Sequence, residues 1–285
     1  MAEKLKIKGG KALHGEVSIS GAKNAVLKLM AAAILPKGET VIHNVPQLTD
    51  VNIMLRVIEG LGVKTKYDTN AKTVSIDSTD ITSITAKYEL VSKMRASFII
   101  LGALVSRCKE AIVALPGGCA IGERRVDFHI KGLEALGASI KIENGYVHAK
   151  ADKLTGTDIY LDIPSVGATE NLMLAAILAE GATRIQNAAQ EPEIVDLANF
   201  LNAMGADISG AGTSEIVING VTQNDLHPIE YTTIPDRIEA GTYMAAIIAT
   251  QGKGIIKNVL PSHLTFYNSK LIKMGANIKL IEPTV

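Results

Sequence analysis

The sequence has little of what several protein classes require. It contains two cysteines, no Trp, 4% aromatic residues and a formal net charge of zero. Two cysteines, Cys108 and Cys119, form no disulfide framework, and no Cys/His cluster has the spacing of a zinc site. Balanced charge and few aromatic residues offer neither a phosphate-backbone footprint nor a base-stacking platform. Nucleic acid is therefore not expected as a partner.

Long apolar runs are also missing. No run reaches the roughly 18 residues that a membrane helix needs, and residues 1–10 lack the apolar core of a signal peptide. We therefore expect a cytoplasmic protein without a membrane partner, which the cysteine usage also favours. Its 285 residues, 47% hydrophobic and 20% charged, are typical of a globular chain of about two domains.

A repeated motif indicates four copies of one structural unit. In each copy a Leu or Met, a Gly, and a Val or Ala end a helix and precede a short charged strand. The motif glycines lie 75, 68 and 70 residues apart, at Gly62, Gly137, Gly205 and Gly275. Such a period is typical of one supersecondary unit used repeatedly. Alternating helical and β-branched stretches predict a βαβαββ unit, and hence an α/β fold with α+β character.

The copies predict specific elements. Copy one begins with strand Gly15–Ile19 and helix Ala22–Leu35, and the first helix of copy two spans about Val91–Arg107. Copy four runs from Pro228 to Val285, with helices Ile238–Thr250 and Thr265–Met274 around one strand, and a further strand after Met274. Another strand, Leu5–Lys8, has no partner in its own copy.

One segment, Leu115–His129, is chemically richer than the rest. Its prolines and glycines predict a loop, where functional residues concentrate. The nearby arginines favour the thiolate of Cys119 and so lower the pKa of this thiol. The alternative is a small buried cysteine in a basic turn. The segment's reactive side chains are those of Cys119, Arg124, Arg125, Asp127 and His129.

Cationic or glycine-supported helix starts recur in the repeat. Lys23 and Arg95 fall at predicted helix N-termini, where a positive side chain is unfavourable unless an anion is bound. Ser165-Val166-Gly167 opens another helix. These helix starts and the Cys119 loop together indicate an anionic, multi-phosphate ligand. The alternatives are that Lys23 and Arg95 point into water and that Ser165 is an ordinary N-cap. His129 lies beside the loop and could reach the ligand, whereas the other histidines have no evident acid, base or metal neighbour.

Six stretches make the sequence similar to the enolpyruvyl transferases. They are Ile19–Asn24, Met94–Ser97, Leu115–Ile130, Pro164–Thr169, Asn187–Phe200 and Pro235–Thr242. The resemblance implies an inside-out α/β barrel of βαβαββ units. It implies a complete three-unit domain at residues 21–227, and a partial, discontinuous domain made of residues 1–20 and 228–285.

The resemblance also implies a reaction. The enolpyruvyl group of phosphoenolpyruvate passes to the 3′-hydroxyl of UDP-N-acetylglucosamine and phosphate leaves, without metal or organic cofactor. Lys23 and Arg124 bind phosphoenolpyruvate, and Asn24 and Arg95 support the substrates. Cys119 lies on a lid, where it donates a proton or assists product release, and it is the site that fosfomycin alkylates. The uridine and diphosphate are held by residues of the Cys119 segment and of the helix start, namely Arg124, Arg125, Val126, Asp127, Phe128, Ser165, Val166 and Gly167.

Three departures leave alternatives open. Arg125 replaces a usual proline, and Ile163-Pro164 replaces a lysine that some members carry. The family continues for about two more units after the position of Val285, which supply an aspartate base and a further arginine. The sequence is therefore compatible with an active transferase, with a catalytically silent module that binds the nucleotide sugar, or with a split enzyme completed by a second chain.

Overall fold

The computed structural model describes residues 4–116 and 126–281. The chain divides into two compact units, a terminal unit of Met1–Ala22 with Pro235–Val285 and a central unit of Lys23–Ile234. None of the described helices combines the length and the apolarity that a membrane crossing requires.

The elements follow the predicted alternation of strands and helices. The strands are β1 (His14–Ser18), β2 (Glu39–His43), β3 (Lys64–Asp68), β4 (Thr73–Asp77), β5 (Thr85–Ala86), β6 (Glu110–Ala114), β7 (Ser139–Glu143), β8 (Tyr146–Lys150), β9 (Asp158–Tyr160), β10 (Ala182–Gln186), β11 (Asp207–Ser209), β12 (Glu215–Asn219), β13 (Glu230–Thr232) and β14 (Lys253–Lys257). The helices are α1 (Lys23–Ala32), α2 (Thr49–Glu59), α3 (Tyr88–Val91), α4 (Ile100–Cys108), α5 (Asp127–Ala135), α6 (Val166–Ala176), α7 (Pro192–Ala203), α8 (Arg237–Ala249) and α9 (Thr265–Lys273), with 3₁₀ segments at Arg95–Ile99 and Pro261–Leu264.

The central unit contains three four-stranded sheets of one design. Their orders are β13-β2-β4-β3, β5-β6-β8-β7 and β9-β10-β12-β11. In each sheet the first pair of strands is parallel and the other two pairs are antiparallel. The predicted mixed α/β fold of βαβαββ units is confirmed, and among the described residues the sheets stay separate instead of closing into one barrel.

The helices between the sheets form the core of the central unit. Residues Ala25–Ala32 of α1 are all buried, as are residues 100–106 of α4 and 168–176 of α6. These helices are apolar nearly all round, which is typical of helices enclosed on every side. The sheet strands instead alternate buried and partly exposed positions, as in β4 and β12, so each sheet covers the bundle with one face.

The first strand of copy one lies in a different sheet from the predicted one. Strand β1 pairs in parallel with β14, inside the terminal unit. Strand β13 occupies the edge position beside β2. Strand β13 is anchored there by Tyr231, whose hydroxyl donates to Asp196 Oδ1 at 2.8 Å and whose ring meets Phe200 edge-on. The repeat-based assignment of strand Gly15–Ile19 to copy one was therefore wrong, because a neighbour distant in sequence occupies its place. The resemblance had instead grouped this strand, within residues 1–20, with residues 228–285.

This exchange also moves the predicted boundary between the two parts of the chain. The sequence analysis assigns residues 228–234 to the discontinuous part, whereas β13 pairs with β2 in the central unit. It also corrects the interpretation of His43, which has an acidic neighbour after all. The Nε2 atom of His43 lies 3.3 Å from Glu230 Oε2, across the β2–β13 pair.

A half-buried guanidinium holds the turn that follows α1. Arg107, at the end of α4, donates to the carbonyls of Ile34 and Leu35 at 2.9 Å each, to that of Pro36, and to that of Ser78 at 2.8 Å. Three of these acceptors lie in the turn that follows α1, so the guanidinium satisfies carbonyls that have no partner in a helix or sheet.

The terminal unit has its own small core of Ile19, Ala240 and Leu264. Asp236 caps α8 by accepting from the backbone N–H groups of Ile238 and Glu239. Two predicted strands, Leu5–Lys8 and the segment after Met274, are not strands in the described residues, where no neighbouring strand pairs with them. A strand without a partner leaves its backbone hydrogen bonds unformed.

Candidate functional site

Helix α1 begins with the lysine that the sequence analysis selected. Lys23 is its first residue, and its Nζ lies 2.5 Å from Oδ2 of Asp50, in the first turn of α2. The side chains are 46% and 26% exposed. Asp50 supplies the negative charge that a cationic helix start needs, and it also complements the dipole of its own helix. The sequence analysis did not select Asp50.

Arg95 also begins a helical segment, although the predicted helix around it is interrupted. Helix α3 ends at Val91, and Met94 is extended, with φ −147° and ψ 107°. The 3₁₀ segment that starts at Arg95 then runs directly into α4. The single helix predicted for Val91–Arg107 was wrong, but the prediction that Arg95 stands at a helix start is confirmed.

The start of α6 is a compact turn. The Ser165 hydroxyl accepts from the backbone N–H of Ala168 at 3.4 Å, which makes Ser165 the N-cap. A Cβ on Gly167 would lie 3.3 Å from Cε1 of His129, so glycine lets the imidazole ring approach the first turn closely. The local geometry is that of a cap followed by a packing glycine, and a role of this turn in ligand binding stays a prediction.

His129 lies inside the helix packing and is only 6% exposed. Its Nδ1 is 2.8 Å from Nδ2 of Asn171, and its ring meets Phe98 edge-on at 5.3 Å. Because Asn171 Oδ1 accepts from the backbone N–H of Gly102, the amide presents its NH₂ group to the imidazole. Nδ1 therefore accepts, and the proton of the neutral ring is on Nε2.

Burial keeps this imidazole neutral. The pKa of His129 falls to about 4, because burial and, after it, the positive charge of Arg95 lower it while Asp127 opposes the shift. A group whose pKa falls on folding stabilises the folded state above its unfolded pKa, and this contribution is lost as the pH falls.

We expect the free energy of unfolding to fall by about 3 kcal/mol between pH 6.5 and pH 4 through His129 alone. Urea unfolding of wild type and of His129→Gln, whose amide oxygen can still accept from Asn171, measures this contribution. Glu170 and Asp196, whose pKa values burial raises to about 7 and about 6, act in the opposite direction in both proteins. An equal acid loss in the variant would contradict the prediction.

A buried ion pair connects α1 with α6. Lys28 Nζ lies 3.1 Å from both carboxylate oxygens of Glu170 and donates to the Asn24 carbonyl at 3.0 Å. The side chain of Glu170 is fully buried and that of Lys28 is 10% exposed. Burial raises the pKa of Glu170 to about 7, Lys28 opposes this shift, and Glu193 and Glu191 add to it. This pair was not predicted from the sequence, although each residue is the charged member of an otherwise apolar helical stretch.

An open depression of about 370 Å³ lies beside the start of α6. Pro164, Ala188, Gln190 and Glu191 line it. One carboxylate oxygen of Glu191, Oε2, is buried with no hydrogen-bond partner among the described residues. No group of three His, Cys, Asp or Glu side chains in the described ranges is arranged to hold a metal ion.

Several predicted site residues lie outside the described residues or at their margin. Cys119, Arg124 and Arg125 are outside them. Val126 directly precedes α5, whose first two residues are Asp127 and Phe128. A carboxylate in the first turn is favourable with the helix dipole.

One family model matches nearly the whole chain. The model of EPSP synthase (3-phosphoshikimate 1-carboxyvinyltransferase) matches residues 7–284. Among curated proteins, UDP-N-acetylglucosamine 1-carboxyvinyltransferase 2 of Carboxydothermus hydrogenoformans is 54% identical over 97% of this chain and 65% of its own length. UDP-N-acetylglucosamine 1-carboxyvinyltransferase of Gloeobacter violaceus is 53% identical over 98% of this chain. The chain spans 60% of that protein's length, less than two thirds of either relative.

Solved structures agree on the fold. The enolpyruvyl transferase NikO from Streptomyces tendae superposes with a TM-score of 0.74 at 26% identity, over 83% of this chain and 55% of that one. EPSP synthase from Acinetobacter baumannii superposes with a TM-score of 0.72 at 21% identity, over 94% of this chain and 61% of that one, a likeness of fold alone.

Proposed function

This chain belongs to the EPSP synthase family, and from that membership we propose that it transfers the enolpyruvyl group of phosphoenolpyruvate to the 3′-hydroxyl of UDP-N-acetylglucosamine. The observation that carries the proposal is the 54% identity, over 97% of the chain, to a relative named for this reaction. In the reaction the bond between C2 of phosphoenolpyruvate and its phosphate oxygen breaks. A bond from C2 to the sugar oxygen forms, and the hydroxyl proton leaves with inorganic phosphate.

We assign a role in substrate binding or catalysis to each predicted site residue. Lys23 and Arg124 hold the phosphate and carboxylate of phosphoenolpyruvate, and Asn24 and Arg95 support the two substrates. Cys119 serves the methylene carbon as proton donor or assists release of product. The nucleotide sugar lies along Arg124–Phe128 and the Ser165–Gly167 turn. Positive side chains directed at the transferring phosphate stabilise charge that develops in the transition state.

Two features of the central unit support these roles. Lys23 and Asn24, in the first turn of α1, are both exposed, whereas residues 25–32 that follow them are buried. The depression beside Pro164 and Glu191 offers space next to the turn proposed for the nucleotide sugar. Neither the comparisons nor the described residues favour the module that only binds.

The proposed reaction is the first committed step of peptidoglycan synthesis. It takes place in the cytoplasm and supplies the cell wall on which cell shape and division depend. In this role the protein is a target of fosfomycin, which alkylates the thiol of Cys119.

Phosphate release from phosphoenolpyruvate tests the proposal. We expect release that depends on UDP-N-acetylglucosamine and that stops when Cys119 is alkylated by fosfomycin or replaced by Ser. Cys108 is the internal control, because burial raises the pKa of this thiol and so slows its alkylation. A Cys108→Ser variant should therefore keep both the activity and its sensitivity to fosfomycin.

The negative outcomes are distinct. Release without dependence on the nucleotide sugar would contradict the proposed acceptor. Tight binding of UDP-N-acetylglucosamine without release would assign the chain to the binding module. Activity that appears only on adding a separate polypeptide, made from the part of the relatives that this chain does not match, would indicate a complementing partner.

A further inference from the structure

The Lys28–Glu170 pair lies one helical turn behind both segments proposed to contact substrate. Lys28 is four residues after Asn24 in α1, and Glu170 is four residues after Val166 in α6. Four residues are about 6 Å along a helix. The pair therefore joins the two helices directly behind the turns that carry Lys23 and Asn24 on one side and Ser165–Gly167 on the other.

The contacts of Lys28 join two helices. Its Nζ donates to the Asn24 carbonyl at 3.0 Å and to Glu170 Oε1 at 3.1 Å, and Glu170 Oε2, also at 3.1 Å, is within ion-pair distance without accepting a hydrogen bond. The lysine thus ties the backbone of the first turn of α1 to a side chain of α6. A shift of either helix start relative to the other would lengthen at least one of these contacts.

Stability alone does not explain such a pair. Taking two charges out of water costs about as much as their attraction returns, and apolar residues of similar volume often stabilise a fold equally well or better. The surroundings make this site costlier, because Glu191 and Glu193 add negative charge near Glu170. A directional contact holds two helices in one register, which apolar packing does less strictly.

We propose that Lys28 and Glu170 are positioning residues that hold the Lys23–Asn24 turn in register with the Ser165–Gly167 turn, so that the two substrates of the proposed reaction meet correctly. Neither residue touches substrate. This inference rests on the proposed function for its catalytic consequence and on the described contacts for its structural part.

The test replaces the pair by apolar residues of similar size. In the double variant Lys28→Met with Glu170→Met, we expect a urea midpoint equal to or above that of wild type, since no buried charge is left unpaired. We expect kcat for phosphate release to fall by about 10²-fold, because small misplacements of reacting groups have effects of this size. KM for the nucleotide sugar should change less than kcat.

Matched variants separate positioning from folding. Lys28→Met alone leaves Glu170 buried without its cation, and should lower the urea midpoint as well as kcat. Lys28→Arg can donate to the same oxygens and should restore most of kcat in a chain of wild-type stability. A double variant that is both stable and fully active would overturn the proposal, because the pair would then be replaceable packing.

Hydrogen exchange keeps the inference testable if the proposed reaction is wrong. Peptides that cover residues 23–28 and 165–170 should exchange faster in the double variant than in wild type, while the rest of the central unit is unchanged. A wild-type chain that neither binds UDP-N-acetylglucosamine nor releases phosphate would refute the function. Unchanged exchange in the two turns would refute the positioning role, whatever the activity.

Discussion

Replacing Lys23 by Ala should reduce turnover of phosphoenolpyruvate by about 10²–10³-fold, the usual effect of removing one donor aimed at developing negative charge. The same change should leave the free energy of unfolding within about 1 kcal/mol of wild type, because a partly exposed ion pair contributes little. The Lys23–Asp50 pair is of this kind, with side chains 46% and 26% exposed. Removing a cation from a helix N-terminus also relieves an unfavourable interaction with the helix dipole.

The measurement combines phosphate release with urea unfolding of the same preparations. Lys131→Ala is the matched control, because Lys131 is an exposed lysine of helix α5 in the central unit. We expect the control to match wild type in both assays. If Lys23→Ala kept wild-type turnover, Lys23 would not belong to the site, and if it unfolded at much lower urea, its role would be structural.

The Gly102→Ala variant should be destabilised by about 1–3 kcal/mol, as overpacked core positions usually are. A Cβ at this position would lie closer than 3.0 Å to two oxygens of Asn171, the backbone carbonyl and Oδ1. The Gly102 backbone N–H also donates to that Oδ1 at 2.6 Å, so α4 and α6 cannot separate without losing the bond. Alanine's advantage in helix propensity, about 1 kcal/mol, is smaller than this cost.

Gly132→Ala is the control for close helix packing as such. A Cβ on Gly132 would also come closer than 3.0 Å to a neighbour, but the atoms it meets are the terminal methyl groups of Leu172. A leucine side chain can change rotamer, whereas a helix backbone cannot move alone. Urea unfolding should therefore rank Gly102→Ala well below Gly132→Ala in stability, and equal losses would show that the backbone contact is unimportant.

Much of the fold follows from local patterns in the sequence. The buried helices α1 and α6 are marked by apolar residues, and the turn after α1 by Pro36-Lys37-Gly38. Because these signals act within a few residues, elements such as α1 and α8 lie close to their predicted positions. The interruption at Met94 was not predictable in this way, since Ser92–Met94 carry no proline or glycine.

Which strands and side chains pair when they lie far apart in the chain is harder to predict from the sequence. Each copy of the repeat offers a suitable first strand, so nothing in the period tells which copy a strand completes. The repeat alone therefore does not predict the exchange of β1 for β13, although the resemblance had grouped residues 1–20 with residues 228–285. The meeting of His43 with Glu230 needs three-dimensional information. The burial of His129 depends in the same way on Asn171 and Phe98, from two other helices.

Residues of the candidate site were selected from the sequence where they conflict with local rules. Lys23 and Arg95 were found because a cation at a helix start is unfavourable. The same reasoning extends to Lys28 and Glu170, opposite charges in two apolar helices, since a buried charge needs a partner. It marks each residue as one that needs a partner, and the structure shows that they pair with each other.

Strand β13 is synthesised long after β2, the strand with which it pairs, and this affects the growing polypeptide. Glu230 meets His43 across 187 residues of chain. At about 5–20 residues per second, the ribosome needs roughly 10–40 s to add that length. During this interval the outer edge of β2 lacks its strand, and an open edge is the part of a sheet that recruits foreign strands. Chains still in translation are therefore the population in which a chaperone that shields strand edges should act.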